Sequence, residues 1–322
     1  MSFLDFFGSD PTANQGQWER CPGNPVIRAG DAWCAEFVAP SSVLVDGDMV
    51  TLYAEGGAGD RESIGSYVSR LGGDFASDWA ADPQNPLLEP GANGFDDGSV
   101  FDPAAIRFRG RTHVYYSATA GGAHAFAELA DSSHDDVPTD ETIGHAVATA
   151  EGLAADRQPV MAGRCPYVIE HGGELYLFYV LVIAGGYRIF GARSGDGVTF
   201  EAIGAAPLLD TGRDGEWDSF TVTTPKVFVD DGQFVMLYAG DNRAIDDPSG
   251  IGLAMSTDLV NWRKHPGNPI LVPGRPGEFD SLSVSSAVPF RLGGRWHILY
   301  AGGARALADG YQAQIGTARL PL

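Results

Sequence analysis

The sequence predicts an all-β, five-bladed β-propeller with four antiparallel strands per blade and an N-terminal strand that closes the last blade. Three observations carry this reading. A hairpin pattern returns five times at a spacing of roughly 50 to 65 residues, the range of propeller blades. Glycine and proline, 43 and 20 of the 322 residues, punctuate the whole chain instead of clustering in linkers. An orphan strand motif near the N-terminus supplies the piece that the C-terminal repeat lacks.

Each repeat opens on a hairpin: residues 40–57 (PSSVLVDGDMVTLYAEGG), 103–118 (PAAIRFRGRTHVYYSA), 166–180 (PYVIEHGGELYLFYV), 225–241 (PKVFVDDGQFVMLYAGD) and 287–303 (AVPFRLGGRWHILYAGG). Alternating apolar and polar positions, aromatic and β-branched enrichment, and a turn of the Asp-Gly or Gly-Gly type at a constant offset define them. A third strand follows in Ile64-Gly65-Ser66-Tyr67, Ile143-Gly144-His145-Ala146, Phe190-Gly191-Ala192-Arg193, Ile251-Gly252-Leu253-Ala254 and Ile315-Gly316-Thr317-Ala318. A fourth is visible in DWAADPQNPLL (78–88), VTFEAIGAAPLL (198–209) and NWRKHPGNPIL (261–271). Only four residues follow Ala318, whereas QWERCPGNPVI (17–27) closely matches 261–271, so the N-terminal segment completes blade five and removes an exposed edge. The blade cores fall at about 33–88, 95–155, 160–209, 217–271 and 279–318 plus 17–27, and residues 1–322 read as one domain. Residues 125–141, rich in Asp and Ser and carrying His134, read as an insertion in blade two over one face.

Composition excludes several function classes. With 42 acidic against 21 basic residues the net charge is −21, so phosphate backbones and anionic lipid surfaces are poor partners and a neutral or cationic small molecule fits better. Most of this acidity reads as solvation. Cys21, Cys34 and Cys165 contain no Cys-x-x-Cys pair, which argues against a disulfide framework and a structural zinc site. The N-terminus has acids where a secretion signal needs bases, and no apolar run is long enough to span a membrane, so a cytoplasmic protein is expected. No phosphate-binding glycine loop, HExxH helix or Gly-x-Ser-x-Gly elbow occurs, and neither a cofactor nor a metal is implied.

In a propeller the starts of the first strands and the ends of the second strands converge on one funnel, the natural ligand pocket. Asp96, Asp218 and Asp280 recur seven residues before the position of the hairpin-opening proline, each after an aromatic (Phe95, Trp217, Phe279). Such recurrence suits an architectural turn as well as a site. Departures from the repeat are the sharper clue. Glu36 stands near Pro40 where other blades show Ser99, Thr221 or Ser283; Asp102 precedes Pro103 where others have Ala39, Cys165, Thr224 or Ser286; Arg164 opens blade three; Glu55 and Asp241-Asn242-Arg243 end second strands on the rim.

With the Asn-Pro-Ile/Leu strands and the Phe-Asp-Pro segment at 100–103, the repeats resemble the five-bladed propeller glycosidase superfamily: glycoside hydrolase families 43, 32 and 68 and the mannoside phosphorylase family 130. The resemblance implies an acid before proline on blade one as base or nucleophile, an Asp-Pro on the next blade, and a Glu on a third blade as proton donor. Asp102 with Pro103 matches the second feature. Blade one reads Ala39-Pro40-Ser41 and blade three Gly163-Arg164-Cys165-Pro166, so the full catalytic triad is not present at the matching positions.

Glycosidic cleavage needs an acid for the leaving oxygen and a carboxylate on the opposite face of the sugar. The expected set is Glu36 as base or nucleophile, Asp218 or Asp280 as acid, and Asp102 in the catalytic group. Trp33, Asp97, Phe101, Arg164, Trp217 and Asp241 are expected to bind a carbohydrate-like small molecule. The expected activity is cleavage of a small glycoside, a furanoside by preference, with phosphorolysis as a variant. The alternative is a propeller with altered chemistry: a carbohydrate-binding protein or a non-hydrolytic enzyme acting on a polar small molecule.

Overall fold

A computed structural model describes residues 2–7, 18–70, 78–121, 141–243, 250–304 and 312–321. Blade one comprises strands Phe37–Asp46, Met49–Ala58, Arg61–Arg70 and Ala80–Ala81. Blade two runs Ser99–Phe108, Arg111–Thr119 and Thr142–Thr149, and two short strands, Gly152–Ala155 and Met161–Ala162, share its outer edge. Blade three holds Arg164–His171, Glu174–Ile183, Gly186–Ser194 and Glu201–Ala202. Blade four holds Thr221–Asp230, Gln233–Asp241, Gly250–Ser256 and Arg263–Lys264. Blade five combines Ser283–Leu292, Arg295–Gly303 and Ala313–Arg319 with the N-terminal Glu19–Arg20, which pairs antiparallel with Ala318 and Arg319. The five-bladed propeller and its N-terminal closure are as the repeat predicts. Residues 125–140, including His134, lie outside the described residues.

The recurring sequence motifs have physical causes. Asn24, Asn85 and Asn268 each extend the ladder with a side chain: the amide of Asn268 receives the Leu253 N–H at 2.8 Å and donates to its carbonyl at 2.9 Å, and Asn24 and Asn85 do the same to Thr317 and Ser66. The outer strand is thus short in backbone pairing but held by these amides and by single bridges such as Ile251 to Leu271. The Ile-Gly of the third strand makes room for a ring. A Cβ on Gly252 would lie 2.4 Å from the Tyr238 ring, and one on Gly144 2.4 Å from that of Tyr116.

Those tyrosines explain the recurring aspartates. Tyr116, Tyr238 and Tyr300 donate their hydroxyls to Asp96, Asp218 and Asp280 at 3.1, 2.9 and 2.9 Å. Each carboxylate also takes a cation from the outer part of its blade: Arg157 at 2.5 Å, Lys264 at 2.6 Å and Arg20 at 2.9 Å. The three aspartates are almost fully buried, so the pairing satisfies charges that would otherwise be costly to bury.

One element has no counterpart in the repeat reading. Residues Phe3–Phe7 form a single helical turn whose Phe3 and Phe7 are buried against Trp18, with Phe3 also meeting Phe228 and Trp296 edge-on. The Leu4 N–H donates to Asp230 at 3.0 Å and ties the turn to blade four.

The Arg20–Asp280–Tyr300 link fastens the N-terminal strand, so Asp280→Ala leaves the buried Tyr300 hydroxyl and the partly exposed Arg20 without this acceptor. Urea unfolding should register a loss of about 1–3 kcal/mol. An unchanged midpoint would contradict the fastening role.

Candidate functional site

The first strand of each blade carries the same irregularity near its start. The pairing register slips between Phe101 and Ala104, Arg164 and Tyr167, Thr223 and Lys226, and Ser285 and Val288. At these slips Asp102, Cys165, Thr224 and Ser286 take left-handed φ values of 51°, 52°, 45° and 48°. Non-glycine residues rarely adopt this conformation, and such bulges re-aim side chains beside functional sites. In blade one the slip falls between Pro40 and Ser42, and proline's ring excludes the left-handed conformation. The five equivalent positions are therefore Pro40, Asp102, Cys165, Thr224 and Ser286, and Asp102 is the carboxylate among them.

Short side chains fasten neighbouring first strands around the channel. Ser286 donates to the Pro40 carbonyl at 2.5 Å and Ser42 to the Pro103 carbonyl at 2.7 Å. Ser117 accepts from the Cys165 N–H at 2.9 Å, and the Cys165 sulfur lies 3.6 Å from the Thr223 hydroxyl. Burial pushes the Cys165 thiol well up, with Asp102 adding to the effect, which argues against an activated thiolate.

A charged cluster sits on this ring. Glu55, from the second strand of blade one opposite the small Ala39, accepts the Asp102 backbone N–H at 2.6 Å. Ser117 donates to Asp102 Oδ2 at 2.9 Å, and Arg164 Nε lies 3.5 Å from the same oxygen. Arg164 Nη1 reaches Glu141 at 3.2 Å and donates to the Tyr187 hydroxyl at 3.0 Å. The guanidinium lies over the Phe101 and Tyr187 rings, 5.1 and 5.6 Å from their centroids. Burial, then the charges of Asp102 and Glu62, hold the Glu55 carboxyl well above the usual carboxylate range. Its protonated form therefore persists where a surface glutamate is ionised, the condition for a general acid.

The structure sorts the residues expected from sequence. Asp102, Arg164 and Phe101 come together in this cluster. Asp241 is buried at the end of a second strand of blade four, where it accepts the Arg243 N–H at 2.6 Å. Glu36 does not join them: it is exposed and accepts the Gly59 N–H at 3.2 Å. Its backbone N–H bonds Gly57 as that of Gly98 bonds Thr119, so Glu36 matches Gly98 in register, not Ser99. Asp218 and Asp280 do not join them either, being engaged by tyrosine and an outer-strand cation. Trp33 and Trp217 fill blade cores: Cβ atoms on Gly56 and Gly65 would strike Trp33, and those on Gly240 and Gly250 would meet Trp217. Asp97 accepts the Gly121 N–H at 2.6 Å in an exposed loop contact.

Sequence reasoning placed Glu55 on the rim but gave it no role, and it missed Ser117, Glu141 and Tyr187 as individual residues. The available signal for Glu55 was its place across the ladder from Ala39, legible only once the register of blade one is known. Among the described residues no group of three His, Cys, Asp or Glu side chains is arranged to hold a metal.

The five-bladed fold is shared with glycoside hydrolases of known structure. The chain superposes on a thermostable family-43 glycoside hydrolase with a TM-score of 0.66 at 18% identity, covering 93% of this chain and 92% of the other. An α-L-arabinofuranosidase from Lactobacillus brevis gives 0.69 at 14% identity, covering 92% of each. The β-1,2-mannobiose phosphorylase from Listeria innocua gives 0.66 at 16% identity, covering 94% of this chain and 96% of the other. These likenesses establish the fold. In sequence, two uncharacterized proteins of Mycobacterium tuberculosis are similar: one is 27% identical over 73% of this chain and 77% of its own, the other 26% identical over 69% and 93%. No family model matches the sequence.

The half-buried, proton-retaining Glu55 has a stability signature. Because the folded state binds its proton more tightly than the unfolded chain, Glu55 makes stability fall as pH rises above the ordinary carboxyl range. Glu55→Gln should remove that component, so the variant gains on wild type in urea unfolding between pH 5 and about pH 8. A constant difference across that range would count against a perturbed Glu55.

Proposed function

We propose that the protein cleaves a small glycoside in its central funnel, with Glu55 as the proton donor to the leaving oxygen. The observation that carries this reading is the Glu55–Asp102 contact, which combines burial and a neighbouring carboxylate to keep a proton on Glu55. Glycosidic bonds break through a transition state in which the leaving oxygen gains negative charge, and a correctly placed carboxylic acid neutralises it. Asp102 then has two tasks: its charge raises the affinity of Glu55 for its proton, and its carboxylate takes hydrogen bonds from sugar hydroxyls. Arg164, braced by Glu141 and Tyr187, holds Asp102 in place. Glu36, Asp218 and Asp280 drop out of the catalytic assignment because none of them has a contact with this cluster.

Phosphorolysis is the second reading, favoured by a specific feature. At the bulge positions the other blades offer Pro40, Cys165, Thr224 and Ser286, so Asp102 has no carboxylate counterpart there to activate water. Inorganic phosphate brings its own nucleophile and needs only the acid.

A panel of aryl arabinofuranosides, galactofuranosides, fructosides and mannosides, with and without phosphate, tests both. Turnover of at least one is expected, and Glu55→Gln should reduce it about 10²- to 10⁴-fold. Silence on every glycoside would leave the binding-protein alternative. Wild-type activity should decline on the alkaline side as Glu55 loses its proton. Asp102→Asn removes one of the charges that raise Glu55, so the alkaline limb should move to lower pH; an unmoved limb would separate Asp102 from the acid.

A further inference from the structure

The chain has two lysines, and they are used differently. Lys264 is paired with Asp218 at 2.6 Å. Lys226 lies on the first strand of blade four just past the bulge, opposite Leu237, and only 1% of its surface is exposed. Among the described residues nothing accepts a hydrogen bond from its ammonium. It faces the Tyr167 ring, with Nζ 5.3 Å from the centroid. The ammonium is nevertheless not sealed, so the little surface Lys226 keeps is at its tip.

The repeat gives no architectural reason for this cation. The same register position is Ser42, Ala104, Tyr167 and Val288 in the other blades, all neutral side chains. A buried ammonium without an acceptor is a costly feature, and burial pulls its proton affinity down. Its strand is tied to the acid cluster across the bulges: the Thr223 hydroxyl lies 3.6 Å from the Cys165 sulfur, and Ser117 joins the Cys165 N–H and Asp102 Oδ2 at 2.9 Å each.

We infer that Lys226 contacts the ligand, acting with Asp102 as a donor and acceptor pair that grips two neighbouring hydroxyls of a neutral sugar. The inference rests on the funnel being a carbohydrate site, as proposed above. A vicinal diol matches the pair because one hydroxyl can accept from the ammonium while the next donates to the carboxylate. An anionic ligand group suits the place less well: the carboxyl groups of Glu55, Asp102, Glu62 and Glu141 surround the same cluster, against Arg164 and Lys226.

Lys226→Met, which keeps length and removes the charge, tests the assignment in a Glu55→Gln background that leaves bound sugar intact. By calorimetry with methyl glycosides of the same four sugars, the Met variant should bind the best ligand about 10- to 100-fold more weakly, the worth of one charge-assisted hydrogen bond. In wild-type protein that sugar should also protect Lys226 from acetylation by acetic anhydride, read by peptide mass, a protection that a purely structural lysine would not show. Unchanged affinity in the Met variant, or acetylation indifferent to sugar, overturns the inference, while glycoside turnover by wild type would leave the proposed function standing. Protection by inorganic phosphate alone, with none from neutral sugars, overturns it in favour of an oxyanion site. Absence of binding by every sugar overturns both.

Discussion

The repeated bulge at the start of each first strand is the constraint on which the rest of the molecule depends. It shifts the ladder by one place and, in four blades, sets a non-glycine residue in the left-handed conformation. It also frees the Pro40 and Pro103 carbonyls to receive the hydroxyls of Ser286 and Ser42. Five strands that meet side by side without backbone pairing to one another need such cross-links, since every inward polar group must find a partner away from water. The strained conformations at Asp102, Cys165, Thr224 and Ser286 persist because the surrounding ring over-determines them. At the same level Asp102 differs from Cys165, Thr224 and Ser286 in being a carboxylate, not in its backbone conformation.

Environment separates the acids of this highly acidic chain into distinct kinds. Asp96, Asp218 and Asp280 are buried but balanced, each by a phenol and a cation of its own blade. Glu55 is balanced by neither; its nearest influences are other carboxylates, and its proton is the compensation. Arg164 supplies the positive charge of the cluster but divides it between Asp102 and Glu141. The same residue types thus serve as mortar in three blades and form the proposed site between blades one, two and three.

The fold was legible in the sequence because a propeller repeats its packing problem. Three blades seat a tyrosine against the third-strand glycine and three pair an asparagine with the third strand, so the motifs recur with a readable period. The proposed site was legible only where it broke that period, as at Asp102 and Arg164. Glu36 misled because blade one carries its proline one place earlier than blade two, and a one-residue slip in a strand moves every side chain to the other face. Asp218 and Asp280 misled because their recurrence reflected architecture. Glu55, Ser117 and Tyr187 were hidden for another reason: each approaches the cluster across a ladder or between blades, and that proximity has no trace in a linear spacing.

Closure of blade five by Glu19–Arg20 also has a temporal consequence. The partners of these residues are Ala318 and Arg319, 300 residues on in the case of Glu19 and Arg319, so the N-terminal strand must wait until those residues have been made. Until then Glu19–Arg20 have no strand to pair with, and the Arg20–Asp280 ion pair has no ladder to hold it. Contacts of such long sequence separation are slow to form because the loop they close is entropically costly. Blades one to four can pair their own strands as they emerge, whereas the ring as a whole becomes one cooperative object only at the final step.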